Sequence, residues 1–188
     1  MNLITHLLVS WPLAGVSRSI NRTEQLWIVG AGLAPDLDGF GLIPELATRG
    51  SGTPLLWWSD YHHVLAHNLP FGLLLAAVAA VATKRIAIAG LSLLAFHLHL
   101  LCDVVGSRGP DGYQWPIPYL YPFSRALQLT VPWQWALNAW PNLALSLGLL
   151  GFALWWAWRS ARSPLALVSA RADRALVGAL RQRFPLAA

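Results

Sequence analysis

Six histidines and a few aspartates carry nearly all of the reactive chemistry in this chain. His6 stands near the start. Ala34-Pro35-Asp36-Leu37-Asp38 follows, then His62-His63-Val64-Leu65-Ala66-His67, then His97, His99 and Asp103. His99 and Asp103 are four residues apart, so on a helix they share a face. A neutral imidazole beside a carboxylate is a ready pair of metal ligands. His63 and His67 have the same spacing, whereas His97 is two residues from His99 and points elsewhere. An acid inside an apolar helix is expensive, so a functional role is the default reading of Asp103. Asp36 and Asp38 by themselves fit turn chemistry. Beside the histidines they become candidate ligands as well. Such a set suits zinc first, with manganese or iron as alternatives, and holds one or two ions. A bound ion lowers the pKa of water toward about 7 and makes it a nucleophile. Asp36 or Asp38 is the candidate general base. The chain has no GxSxG elbow, P-loop or HExxH, and Cys102 reads as packing.

The elements that must position these residues are greasy segments joined by short turns. Residues 5–17 form one segment, ending at Arg18 and Arg22. Residues 24–34 form a second, capped by Thr23 and stopped by Pro35. Residues 39–60 are rich in Gly, Pro, Ser and Thr and read as a loop. Residues 62–83 and 86–105 make a third and fourth segment, separated by Lys84 and Arg85. Residues 106–142 are a long connection with six prolines and several Trp and Tyr. A fifth segment covers 143–158, and a tail from about 164 to 184 reads as an amphipathic helix. Threaded antiparallel, these segments bring every His and Asp named above to one end. Arg18, Arg22, Lys84, Arg85 and Arg159 go to the other. A full span needs about 20 apolar residues, which segments three, four and five approach.

Composition agrees. Only 11% of residues are charged and mean hydropathy is +0.49, against about 25% charged in a soluble domain. This excludes a disordered chain, a collagen-like chain and an ordinary soluble enzyme surface. The eleven tryptophans fit membrane–water interfaces. Residues 1–158 hold seven Lys/Arg and seven Asp/Glu, so the net charge of +5 comes from the arginines after Trp158. A basic flank after an apolar stretch reads as cytoplasmic and suits anionic lipid heads; nucleic acid need not be invoked.

The ordered set of motifs resembles the LexA-regulated, membrane-bound metal-dependent hydrolase family, the YdjM-like inner-membrane proteins. The resemblance rests on Thr5-His6-Leu7-Leu8, Ala34-Pro35-Asp36-Leu37-Asp38, His62-His63-Val64-Leu65-Ala66-His67 and His99-Leu100-Leu101-Cys102-Asp103. Gly112, Trp115-Pro116 and Tyr121-Pro122-Phe123-Ser124 extend it to about residue 125. Where the family shows His-Arg-Gly-x-Thr-His, this chain lacks the Arg, Gly and Thr. The motif selects His62 with His67; helical spacing selects His63 with His67. The resemblance implies a metal-dependent hydrolase. Its motif order also resembles zinc-dependent phospholipase C, which implies a phosphoester or lipid substrate.

The expectation is therefore an all-α, multi-pass bundle in the inner membrane, with a re-entrant or interfacial loop region and a basic cytoplasmic tail. Residues 1–160 form the membrane-embedded domain and 161–188 the tail. The metal ligands are His6, Asp36, Asp38, His62, His67, His99 and Asp103, with His63 and His97 as second choices. Trp115 and Tyr121 in the long connection, with Tyr119, Trp133 and Trp135 nearby, would cover a lipid-like substrate. The alternative is a non-catalytic metal-binding or proton-relay membrane protein.

Overall fold

A computed structural model describes residues 1–109 and 112–186. Residues 110–111 of the long connection and 187–188 of the tail lie outside the described residues. The fold is mostly helical. In chain order it comprises α1 (Leu3–Gly15), α2 (Arg22–Leu33), a 3-10 segment (Ala34–Gly41), α3 (Leu42–Thr48), α4 (Trp57–Tyr61), α5 (Leu69–Thr83) and α6 (Ile86–Gly106). A two-residue antiparallel pair follows, β1 (Ile117–Pro118) with β2 (Gln128–Leu129), then α7 (Trp140–Ser160), a 3-10 turn (Pro164–Leu167) and α8 (Ala170–Arg183). The small sheet qualifies the all-α expectation. It arises where Pro116 and Pro118 keep the chain extended and deny it helix hydrogen bonds.

Local chemistry sets the helix starts. Asn21, not Thr23, caps α2: its side chain accepts from Glu24 N–H while Glu24 accepts from Asn21 N–H. Asn68 caps α5, with Pro70 in its first turn. The third segment therefore starts at Leu69, and His62, His63 and His67 lie in the turn before it rather than on its first face. The loop expected over 39–60 contains α3 and α4. α3 continues from the end of the 3-10 segment, and neither helix start has a side-chain cap.

Among the described residues, three helical runs are long and apolar enough to cross a membrane: Arg22–Thr48, Ile86–Gly106 and Trp140–Ser160. Two of them match the expected fourth and fifth segments. The third differs, because α5 is only 15 residues long, about 22 Å at 1.5 Å per residue. Instead α2 continues through the 3-10 segment into α3 to give 27 residues.

α6 is the central element, packed on α1, α2 and α5. Leu8, Trp11, Ile28, Ile88, Ala95 and Ala153 form the main core. Close approach needs small residues. A Cβ on Gly32 would fall 1.9 Å from Ser10 Oγ, and one on Gly72 would fall 2.6 Å from the Phe96 ring.

The two ends of the bundle are held differently. At one end Arg85 Nη1 donates to Glu24 at 2.9 and 3.0 Å and to Ser19 O at 3.3 Å. Arg22 Nη2 donates to Leu167 O at 2.8 Å. At the other end the long connection satisfies the last carbonyls of α6, which a helix C-terminus leaves without partners. Gln134 Nε2 donates to Asp103 O at 2.8 Å, Trp135 N–H to Val105 O at 3.0 Å and Asn142 Nδ2 to Gly106 O at 2.8 Å. That end carries the site.

Candidate metal centre

Asp103, on the last turns of α6, is the hub. Its Oδ2 lies 2.9 Å from His99 Nε2, 3.4 Å from His67 Nε2 and 3.9 Å from His63 Nε2. Its Oδ1 lies 3.3 Å from His6 Nε2 and 2.9 Å from Ser107 Oγ, and also contacts the Met1 amine. Three imidazole nitrogens thus face Oδ2 and a fourth faces Oδ1. Four elements supply the donors: α1 gives His6, the 3-10 segment gives Asp36, the turn before α5 gives His63 and His67, and α6 gives His99 and Asp103.

Among the described residues, two donor groups share Asp103. One is His6, Asp36, His99 and Asp103; the other is His63, His67 and Asp103. Within each group the donor atoms lie within 4.8 Å of one another. Asp36 is the more open member, with Oδ1 3.7 Å from His99 Nε2.

The hydrogen bonds around the groups prepare them for an ion. His99 Nδ1–H donates to Gly32 O at 2.8 Å. His67 Nδ1–H donates to Asp38 Oδ2 at 2.9 Å. Each bond leaves a lone pair on Nε2 and fixes the ring's orientation, the usual arrangement behind a metal-bound histidine. The inner atoms are left bare: His6 Nδ1 and Nε2, His63 Nδ1 and Asp103 Oδ2 are buried and make no hydrogen bond. Buried polar atoms are otherwise nearly always paired. An ion among these donors would satisfy His6 Nε2 and Asp103 Oδ2 together, so the residues fit a divalent cation. His63 also sits at φ 65°, strained backbone that persists where function or packing requires it.

Charge follows the same pattern. Burial, and next the charge on His67, holds His63 well below its ordinary pKa, so it stays a neutral donor. Burial alone would lower His67 too, but the two carboxylates beside it, Asp103 and Asp38, outweigh this and push it up to about 9. A proton held there sits on Nε2 and balances part of the charge of these two carboxylates; it must leave before that nitrogen can ligate an ion, so proton and ion would compete for the same place.

The candidates separate as follows. His6, Asp36, His63, His67, His99 and Asp103 come together as donors. Asp38 stands behind them: Oδ1 accepts from His62 Nδ1 at 2.7 Å, and Oδ2 accepts from His67 and from Ala66 N–H at 3.2 Å. With its oxygens so engaged, Asp38 orients histidines. His62 is turned toward Asp38 and stacks on Trp58, ring centroids 3.8 Å apart. His63 therefore takes the donor place that the motif alignment gave to His62. His97 is spent elsewhere: its Nδ1–H donates to Leu93 O at 2.8 Å and its Nε2 accepts from Tyr119 OH at 2.8 Å. Trp115 covers the site, 4.9 Å from the rings of both His62 and His63. Tyr121 does not line the adjoining cavities; its ring lies 5.2 Å from the Arg125 guanidinium. Trp135 Nε1 donates to Asn142 Oδ1 at 2.7 Å, a structural task. Sequence reasoning missed Trp58, Ser107 and the Gly32 carbonyl. Ser107 could have been found, since it stands four residues after Asp103; a backbone carbonyl leaves no sequence signal.

A mostly helical chain with long apolar helices and a buried His/Asp cluster at one end defines a membrane-associated protein with a candidate metal site. The model of the YdjM inner membrane protein family matches residues 1–179, and the chain belongs to that family. No match was found among curated proteins or solved structures.

Proposed function

We propose that this chain is a multi-pass membrane enzyme that hydrolyses an ester or phosphoester of a lipid-like molecule with the help of one or two divalent metal ions. The observation that carries the reading is Asp103, the one residue that belongs to both groups of candidate metal donors among the described residues. A carboxylate shared by two donor groups would help to hold one ion or two, and paired ions are common in hydrolytic centres. Ions held there, zinc foremost, would polarise the ester oxygen and activate water.

The chain's own residues do the rest. His6, His63, His67 and His99 hold their Nε2 atoms toward the centre, and Asp38 and Gly32 keep His67 and His99 in that orientation. Asp36 opens onto the adjoining cavity and is placed to take the proton of the attacking water. Water adds to the phosphorus or carbonyl carbon, the bond to the leaving oxygen breaks, and the proton held by Asp36 passes to that oxygen. Trp58 and Trp115 limit bulk water.

The end of the bundle that carries Arg22, Lys84 and Arg85, with the arginines of the tail, faces the cytoplasm in this reading. The donors then lie toward the opposite face. A relay across the membrane would place them nearer the midplane.

The test is hydrolysis by the metal-loaded full chain in lipid nanodiscs, against phosphomonoester, phosphodiester and carboxylic-ester lipids. Turnover that stops on chelation and is lost in His99→Ala supports the reading. Loaded protein that hydrolyses none of the three classes overturns it.

A further inference from the structure

Two cavities meet at the donor cluster, and they differ in character. Trp58, His62, His63 and Trp115 line both. The first, about 700 Å³, is otherwise walled by Leu3, Leu33, Leu37, Phe40 and Leu137, and reaches Asp36. The second, about 470 Å³, is lined by Ser59, Asp60, Tyr113, Arg125 and Gln128. Both volumes are of the size that takes a small ligand.

The outer wall of the first cavity is open. Leu3, Leu37, Phe40 and Leu137 are more than half exposed, from 51% to 64%. Leu37 and Phe40 belong to the run Arg22–Thr48, which is apolar enough to lie in a bilayer. In that setting the cavity opens sideways to lipid rather than upward to water. The second cavity holds Arg125, the only Lys or Arg among the described residues lining either space. Its guanidinium offers a fork of donors suited to phosphate oxygens. Asp60, Ser59 and Gln128 add partners for a headgroup with N–H or O–H groups.

We infer that the site takes an amphiphilic phosphoester directly from the bilayer, with its chain between Leu37, Phe40 and Leu137, its linkage at His63 and Asp36, and its headgroup against Arg125. The inference rests on the hydrolytic reading for the placement of the linkage. The division of the two cavities stands apart from it. Chain length is read by one cavity and headgroup charge by the other, so the two preferences separate by mutation.

The experiment is isothermal titration of the full chain in phosphatidylcholine nanodiscs with inorganic phosphate, butyl phosphate and octyl phosphate. Empty nanodiscs give the partitioning background, and metal content is measured on the same samples. The expected result is octyl phosphate binding at least about tenfold tighter than butyl phosphate, since each buried methylene adds to affinity. Leu137→Trp, which fills the apolar cavity, weakens octyl phosphate more than butyl phosphate and removes that preference. Leu137→Ala, which does not fill it, keeps the preference. Arg125→Gln weakens both alkyl phosphates about tenfold and keeps their ratio.

Equal binding of butyl and octyl phosphate to the parent overturns the inference. So does inorganic phosphate binding as tightly as octyl phosphate, a chain preference that survives Leu137→Trp, or unchanged affinity in Arg125→Gln. A metal-loaded parent with no chain preference removes this inference and leaves the metal reading standing. A metal-free parent that keeps the preference and its dependence on Arg125 removes the hydrolytic reading and leaves an amphiphile-binding site.

Discussion

His67 Nε2 and His99 Nε2 face each other at 3.2 Å, although the Nδ1–H of each ring is already committed to another acceptor. Two lone pairs at that distance repel unless a cation or a proton lies beside them. With Asp103 Oδ2 within 3.4 Å of both nitrogens, the pair belongs to a site built for positive charge.

The two histidines at the turn should behave differently. His63→Ala removes a donor and should lower the bound metal by about one ion per chain. His62→Ala removes a ring stacked on Trp58 and should leave the metal count unchanged. Elemental analysis of the two variants beside the parent decides it. Loss in His62→Ala alone would return the donor role to His62.

Asp38→Asn tests orientation. The amide keeps the size of the side chain but weakens its hold on the Nδ1–H groups of His62 and His67. Partners of this kind typically contribute 10–100-fold to metal affinity. Competition with a chromophoric chelator should show an affinity loss in that range with the fold retained. An unchanged affinity would mean that His67 needs no such partner.

Gly32→Ala tests the helix contact that aims His99. The added Cβ meets Ser10 Oγ at 1.9 Å, so α1 and α2 must separate. Overpacking of this kind costs about 1–3 kcal/mol. The variant should melt at a lower temperature and also bind metal less tightly, because the Gly32 carbonyl moves with its helix. A lower melting temperature with unaltered metal affinity would uncouple the contact from the site.

Glu24→Gln probes the far end. It weakens the Arg85 contact without touching any donor. Thermal melting should fall while metal content stays at the parent value. Loss of metal would show that the two ends of the bundle are coupled.

Much of the site was legible in the sequence, and the reason is topological. His6, Asp36, His67, His99 and Asp103 stand at alternate segment ends, and antiparallel threading alone gathers them. The i, i+4 spacing of His99 and Asp103 was enough to pair them, because α6 is a regular helix there. The same rule put His63 beside His67, but for a reason that does not hold: both lie in a turn, where Asn68 and Pro70 delay the helix. Their proximity comes from the turn at His63, with its positive φ, and no periodicity encodes that. The role of Asp38 was equally hidden. Asp36 and Asp38 differ only in which way the 3-10 segment turns them, so one faces the donors and the other faces the rings behind them. The length of α5 was misjudged because the apolar run around it extends beyond its cap.

The most direct measurement is the metal content of the purified full chain after loading and desalting, beside Asp103→Ala. Up to two divalent ions per chain are expected in the parent, with loss of most of that metal in the variant, since Asp103 belongs to both donor groups. A parent that retains no metal, or a variant that retains as much as the parent, would contradict the metal reading.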